Sequence, residues 1–87
     1  MNGLALIIIN NFTSEIQNFD YNPSNIEQHN NHLITIRNHI QATTRLLDHV
    51  LPHPDFTQGF KNNLILEYRA LQRAIARYQL LSGFSIR

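Results

Sequence analysis

Two prolines, Pro52 and Pro54, separate the two longest helical patterns of this 87-residue chain. Each proline lacks a backbone donor and disfavours helical geometry in the residue before it, so no helix is expected to continue through residues 52–54. A connection of about four residues makes the flanking helices antiparallel neighbours. The chain is therefore predicted to be all-α, with an antiparallel helical hairpin formed by residues 24–51 and 55–82.

Residues 24–51 combine a helix start signal with a heptad repeat. Ser24 and Glu27 have the spacing of a capping box, in which each side chain accepts a hydrogen bond from the other residue's amide. Apolar residues then recur every seven positions at Ile26, Leu33, Ile40 and Leu47, and the positions three later hold His29, Ile36, Thr43 and Val50. This spacing predicts an a/d seam in which His29 and Thr43 are the weak points.

Residues 55–82 form the longest uninterrupted helical pattern. Asp55 is the predicted N-cap, where a carboxylate also meets the positive end of the helix dipole. Gly83 fits the left-handed position that follows a helix end. Spacings of four and three place six apolar residues on one side of this helix: Phe60, Leu64, Tyr68, Leu71, Ile75 and Tyr78. Each long helix has about 27 residues and a length of roughly 40 Å, so the hairpin is long and thin.

Residues 4–19 are compatible with two structures. Five apolar residues recur at spacings of four and three, which is typical of one helical face: Leu4, Ile8, Phe12, Ile16 and Phe19. The three consecutive isoleucines at 7–9 instead favour a short strand over residues 4–9, since β-branched side chains suit a pleated surface. We favour the helix and keep the strand as the alternative. In both cases the segment is an apolar strip that needs a covering surface.

The composition is that of a small, weakly charged domain. A chain of this length forms a single domain with a limited core. Charged residues make up 15% of the sequence and the net charge is +1, so repulsion between copies is weak, which is compatible with self-association. The asparagine and isoleucine excess also fits a coding bias. There is no cysteine, which excludes disulfides, thiolate catalysis and cysteine-type metal sites.

No segment has the pattern of a membrane span or a signal peptide. The apolar run at residues 4–9 is too short to cross a bilayer, and neither a basic n-region nor a small-residue cleavage site surrounds it. We therefore expect a cytoplasmic protein that does not engage a membrane.

Some apolar residues lie away from the predicted seams. They are Ile34 on the second helix and Leu66 and Leu80 on the third. A two-helix hairpin leaves exposed the side of each helix that faces away from the seam. We therefore expect a homodimer in which two hairpins close a four-helix-type bundle, with the N-terminal segments on its flanks. The alternative is a monomeric three-helix bundle with a few exposed leucines.

A row of arginines is the most distinctive polar feature. Residues 56–87 hold five basic residues and one acidic residue, and Arg69, Arg73 and Arg77 are spaced four apart on the side that carries Leu66 and Leu80. Guanidinium groups at this spacing can bind carboxylates of a partner helix or contact phosphates. A third interpretation is a solvated face, in which the arginine stems cover the two leucines.

The predicted function is a non-enzymatic protein–protein interaction or regulatory module that self-associates and presents this part of the third helix to a partner with acidic groups. The alternative is a small nucleic-acid-binding helical dimer that uses the same arginines. Three arginines without a larger basic excess bind phosphate weakly, which favours the protein partner.

The histidines suggest two candidate metal sites, and neither has a recognised ligand pattern. His29 and His32 are three residues apart on the second helix, so both can face one ion. A second group surrounds the proline turn and consists of Asp48, His49, His53 and Asp55. Neither a Glu-x-x-His pair nor an HExxH motif is present, so no metal or other cofactor is predicted.

The sequence does not predict an enzyme. No order of nucleophile, base and orienting residue is readable, and the carboxylates are scattered. Glu67 lies towards the core side of the third helix, where His39 across the hairpin is a candidate partner. An isolated acid in a seam is more often a device that sets register than a catalytic base.

Overall fold

A computed structural model of the chain describes residues 2–19 and 26–82, and these ranges contain three helices and no strand. The helices are α1 (Asn2–Gln17), α2 (Ile26–Val50) and α3 (Gln58–Ser82). The predicted all-α class is confirmed, and residues 4–17 form helix rather than strand. The predicted capping box at Ser24 and helix end at Gly83 lie outside the described residues.

The most extensive contact between helices joins α1 to α3. Gln17, in the last turn of α1, lines a groove with Leu80 of α3, whereas Leu4 lines a cavity with Phe56, just before α3. These two helices therefore run in the same direction. The α2 helix runs the other way, because the His32 ring near its start lies 3.1 Å (Nδ1 to hydroxyl oxygen) from Tyr78 near the end of α3.

The core lies along the line where the three helices meet. Its fully buried aliphatic side chains are Ile9 and Ile16 of α1, Ile36 and Val50 of α2, and Leu64 and Leu71 of α3. Tyr78, which belongs to the predicted seam, is buried beside them, while Tyr68 and Ile75 of that seam are half-buried. The first helix thus supplies the third side of a core that the two long helices alone would leave open.

The buried side of α1 is rotated relative to the sequence prediction. Ala5, Ile9 and Thr13 are buried, whereas Leu4 is 60% exposed and Phe12 is half-buried at the edge of the core. A threonine is an unexpected core residue, but the Thr13 hydroxyl donates a hydrogen bond to the Ile9 carbonyl at 3.0 Å. Burial therefore leaves this hydroxyl satisfied within its own helix.

Two phenylalanine–histidine stacks join α2 to α1 and to the residues that follow it, with Phe12 inside α1 and Phe19 two residues after its end. Phe12 stacks on His39 with ring centroids 3.9 Å apart, and Phe19 stacks on His32 with centroids 4.2 Å apart. The ring planes are close to parallel in both pairs. His32 and His39 are seven residues apart on α2, so the two stacks lie about two turns apart along that helix.

The acidic partner of His39 differs from the predicted one. Its Nε2 lies 2.7 Å from Oε1 of Glu15 in α1. The predicted pairing with Glu67 of α3 is thereby corrected, because the side of α2 that carries His39 faces α1 and not α3.

On α2 the buried row is the one that contains both predicted weak points of the seam, His29 and Thr43. It consists of His29, Ile36, Thr43 and Val50. The other predicted row is less covered, since Ile26 is 69% exposed, Ile40 is 36% exposed, and Leu33 and Leu47 are half-buried. The first row faces the junction of α1 and α3, which leaves the second at the margin of the α2–α3 contact.

The third helix begins at Gln58, three residues later than predicted. The Thr57 hydroxyl accepts a hydrogen bond from the Phe60 amide at 3.1 Å, which is the bond of an N-cap residue. The Asp55 amide instead donates to Nδ1 of His53 at 3.2 Å within the turn. Phe56 stacks on Phe60, which fixes the entry of the chain beside Thr57. The assignment of Asp55 as N-cap is therefore wrong.

Replacing the two candidate caps separately distinguishes them. Thr57→Ala should lower the free energy of unfolding by about 1 kcal/mol, because the Phe60 amide loses its acceptor. Asp55→Ala should change it by less than about 0.5 kcal/mol, as expected for an exposed side chain that caps nothing. Urea unfolding followed by circular dichroism measures both. A larger loss in the Asp55 variant would contradict the observed start of α3.

The buried threonine at the centre of α2 is predicted to reduce stability. Thr43 is 0% exposed, and its hydroxyl has no hydrogen-bond partner among the described residues. Thr43→Val keeps the shape and removes the unsatisfied group, so it should raise the free energy of unfolding by about 1 kcal/mol. The control is Thr44→Val, since Thr44 is exposed and its hydroxyl bonds the Ile40 carbonyl. Lower stability in the Thr43 variant would count against an unpaired hydroxyl.

Candidate partner-binding surface

The side of α3 turned away from the core carries the five residues predicted to bind a partner. At about 100° per residue, they fall within roughly 80° of the helix circumference, opposite the buried Leu64 and Leu71. They extend over about 21 Å of the helix. We call this surface the outer face of α3, and it consists of Leu66, Arg69, Arg73, Arg77 and Leu80, with Ala76 between them.

All of these side chains are exposed to solvent. Leu80 is 81% exposed and Leu66 is 58% exposed, and the three arginines are also in the exposed class. A purely solvated face would have arginine stems lying over the two leucines. The exposure of the leucines shows that the stems do not cover them.

Two shallow grooves border the outer face. The larger, of about 470 Å³, is lined by Gln17, Ala70, Arg73, Ala74, Ala76, Arg77 and Leu80. The smaller, of about 300 Å³, is lined by Asn62, Ile65, Leu66 and Arg69. Each exposed leucine thus stands beside an open space, and in the larger groove three alanines keep that space free of long side chains.

The arginines of the outer face have no carboxylate partner in the part of the chain that the structure describes. The ion pairs found there join histidines to acidic residues. Arginines four apart on a helix repel each other by a few tenths of a kcal/mol per pair. Gln17 brings the negative end of the α1 dipole to the groove beside Arg73 and Arg77, which offsets part of this repulsion. The arginine charges are therefore accessible to a partner, and the repulsion between them lowers the stability of the fold only slightly.

The histidines are engaged in packing rather than gathered around a common point. His29 is buried in the core, and His32 lies against α1 and Tyr78. At the turn, the rings of His49, His53 and Phe56 contact one another with centroids 5.5 to 6.4 Å apart. Within residues 2–19 and 26–82, no group of three or more histidine, aspartate or glutamate side chains has the arrangement of a metal site.

Two features of this region were not predicted. Gln17 and Ala70 join the arginine groove because α1 packs on α3, and no single-helix pattern indicates which helices become neighbours. The phenylalanine–histidine stacks did have a signal, because Phe12 and Phe19 have the same seven-residue spacing as His32 and His39. Equal spacing on two antiparallel helices is what a pair of cross-helix contacts requires.

Comparison of the chain with known protein families, curated proteins and solved structures finds no significant match. None of the three helices is both long enough and apolar enough to cross a membrane, as far as the described residues extend. The outer face of α3 places uncovered leucines beside arginines that have no carboxylate partner among the described residues.

If the arginine row opposes stability, removing its central charge should stabilise the fold. Arg73→Gln eliminates two like-charge pairs and also the weaker attraction to the α1 dipole, so the free energy of unfolding should rise by at most about 0.5 kcal/mol at low salt, and by less at high salt. Arg37→Gln is the matched control, because Leu33 and Gln41 are its neighbours four residues away. Thermal unfolding at two salt concentrations measures the difference. A destabilised Arg73 variant would show instead that this side chain contributes to packing.

Proposed function

We propose that this chain is a non-enzymatic interaction module that self-associates and uses the outer face of α3 to bind an acidic helix of a partner protein. The observation that carries the proposal is the exposure of Leu66 and Leu80 on either side of three arginines that have no carboxylate partner among the described residues.

The spacing on the outer face favours a helix as the bound element. Five of its residues follow one another at intervals of three, four, three and four: Leu66, Arg69, Arg73, Ala76 and Leu80. This is the alternation by which one helix packs along another. Helices that bind in shallow grooves use apolar anchors at such spacings, and here one leucine stands at each end. A complementary helix therefore meets apolar contacts at its ends and charge at its centre.

The chemistry of the centre selects acidic groups. A guanidinium presents a planar set of donors that can hold a carboxylate through two parallel hydrogen bonds. Arg69, Arg73 and Arg77 can each make such a bond without first breaking an ion pair within the described chain. Binding of glutamates or aspartates would also remove the repulsion within the row.

Nucleic acid is the alternative ligand for the same arginines. The net charge of +1 provides little long-range attraction for a polyanion. The two leucines account for a large part of the outer face, and they offer nothing to a phosphate backbone. The composition of the face therefore favours a protein partner.

A direct test uses two fluorescent probes and fluorescence anisotropy. The first probe is an amphipathic helical peptide with leucines near its ends and glutamates between them, and the second is a short DNA duplex. The wild-type chain should bind the peptide, and Arg69→Glu/Arg77→Glu should weaken this binding by about tenfold or more, since two charge-assisted contacts become repulsive. Leu66→Ser/Leu80→Ser should also weaken it, and raising the salt concentration should have only a moderate effect.

The matched control is Arg37→Glu/Arg45→Glu. It changes the same number of exposed arginines, with the same spacing of eight residues, on α2. It should leave peptide binding unchanged. Equal weakening by the control, or equal binding of a scrambled peptide, would show that the interaction is a non-specific charge attraction. Tighter binding of the duplex, with a steep salt dependence and no effect of the leucine changes, would establish the nucleic-acid alternative.

A further inference from the structure

The groove between α2 and α3 is a second, mainly apolar surface, which adjoins the outer face at Ala76. Its volume is about 350 Å³, and the lining residues include Ile40 of α2 and Tyr68, Gln72, Ile75 and Gln79 of α3. None of its lining residues is an acid, a lysine, an arginine or a histidine. The groove exists because α2 approaches α3 at few places, whereas α1 lies close to α3 along most of its length.

One row of the α2 heptad remains without full cover along this groove. Ile40 lines it, and Leu33 and Ile26 continue on the same side of α2 at intervals of seven residues. Ile40 is only partly covered, and Ile26 near the start of the helix is largely exposed. The buried row of α2, which contains Ile36 and Thr43, packs against α1 and α3. The row that contains Ile26, Leu33 and Ile40 is therefore available to a surface that the described part of the chain does not supply.

We propose that a second copy of this chain occupies the α2–α3 groove, and that the two copies are related by a two-fold axis. This rests on the self-association that belongs to the proposed function, and it identifies the surface that mediates it. The chain would then have two adjoining interfaces: the α2–α3 groove for its own copy and the outer face of α3 for the acidic partner.

The charge distribution selects a copy of the same chain as the occupant. In a two-fold interface the same surface patch meets itself, so every charge in the patch faces a like charge. The groove avoids that penalty because it consists of aliphatic, aromatic and amide side chains. Glutamine both donates and accepts hydrogen bonds, so Gln72 and Gln79 can pair with the same residues of a copy. The outer face of α3 cannot self-associate in this way, since it would oppose three arginines to three others.

The dimensions of the chain also suit a dimer. The described part of the chain measures 46 × 21 × 16 Å along its principal axes, so each of its long sides is 46 Å long and either 21 Å or 16 Å wide. A stable interface needs about 800 Å² from each partner, which is comparable to the area of one long side. Two copies joined there would bring two α2 and two α3 helices together as a four-helix layer, with each α1 on the outside of the assembly.

Sedimentation equilibrium on the full chain tests the proposal. The wild type should have twice the mass of the chain, and Ile40→Glu should raise the dimer dissociation constant by at least about tenfold, because it places two carboxylates against each other in an apolar interface. Ile34→Glu is the matched control, since Ile34 is an exposed isoleucine of α2 outside the groove. It should sediment as the wild type does.

A second, milder variant protects the test against loss of folding. Gln72→Glu preserves the size of an exposed side chain in the groove, and it should also weaken the dimer, while Gln41→Glu outside the groove should not. Circular dichroism verifies the helical content of each variant. Weakening by both groove variants and by neither control supports the proposal.

Other outcomes overturn it. A monomeric wild type, or equal weakening by the Ile34 and Ile40 variants, removes the groove as a self-association surface. If Arg69→Glu/Arg77→Glu loses the dimer and the groove variants do not, the self-association surface is the outer face of α3 and not the groove. Peptide binding separates this inference from the partner site of the proposed function. A monomeric chain that still binds the acidic peptide contradicts self-association and the groove but not the outer face. A dimer that does not bind the peptide contradicts only the outer face.

Discussion

Burial of α1 against α3 is the contact on which the rest of this structure depends. Two long helices joined by a turn share one seam, which is too little apolar area for a stable core. The isoleucines Ile9 and Ile16 complete that core together with Leu64 and Leu71 of α3. Because α1 occupies one flank of α3, it forms one wall of the arginine groove at Gln17, and it leaves the opposite flank of α3 open towards α2.

The sequence was informative where the relevant physics is local. The two prolines and the helical spacing of apolar residues predict three helical segments, because helix formation depends on neighbours within one or two turns. Which face each helix buries was less predictable. Thr13 enters the core because its hydroxyl bonds within its own helix, and Thr57 caps α3 because Phe56 stacks on Phe60 beside it. Neither hydrogen bond is indicated by the spacing of apolar residues, on which the prediction of the buried faces depended.

The candidate site shows the same difference between features that a local pattern predicts and features that arise when the helices pack together. Periodicity alone placed Leu66, Leu80 and the arginines on one side of α3, opposite the core, and the structure places them there in exposed positions. The grooves and the absence of a carboxylate partner in the described residues are properties of the assembled helices, so no single-helix pattern contains them. As a result α3 has three different sides: one apolar and buried, one apolar and uncharged beside α2, and one cationic.

The two phenylalanine–histidine stacks determine how α1 and α2 are aligned along their length. A displacement of seven residues would still bring Phe12 against His32, but it would lose the other stack and the contact between His39 and Glu15. Displacements of three or four residues would lose both stacks. Both stacks therefore form together in only one alignment of α1 and α2. At about 1 kcal/mol for each aromatic pair, they discriminate between alignments that the aliphatic side chains, being similar at every turn, would accept almost equally.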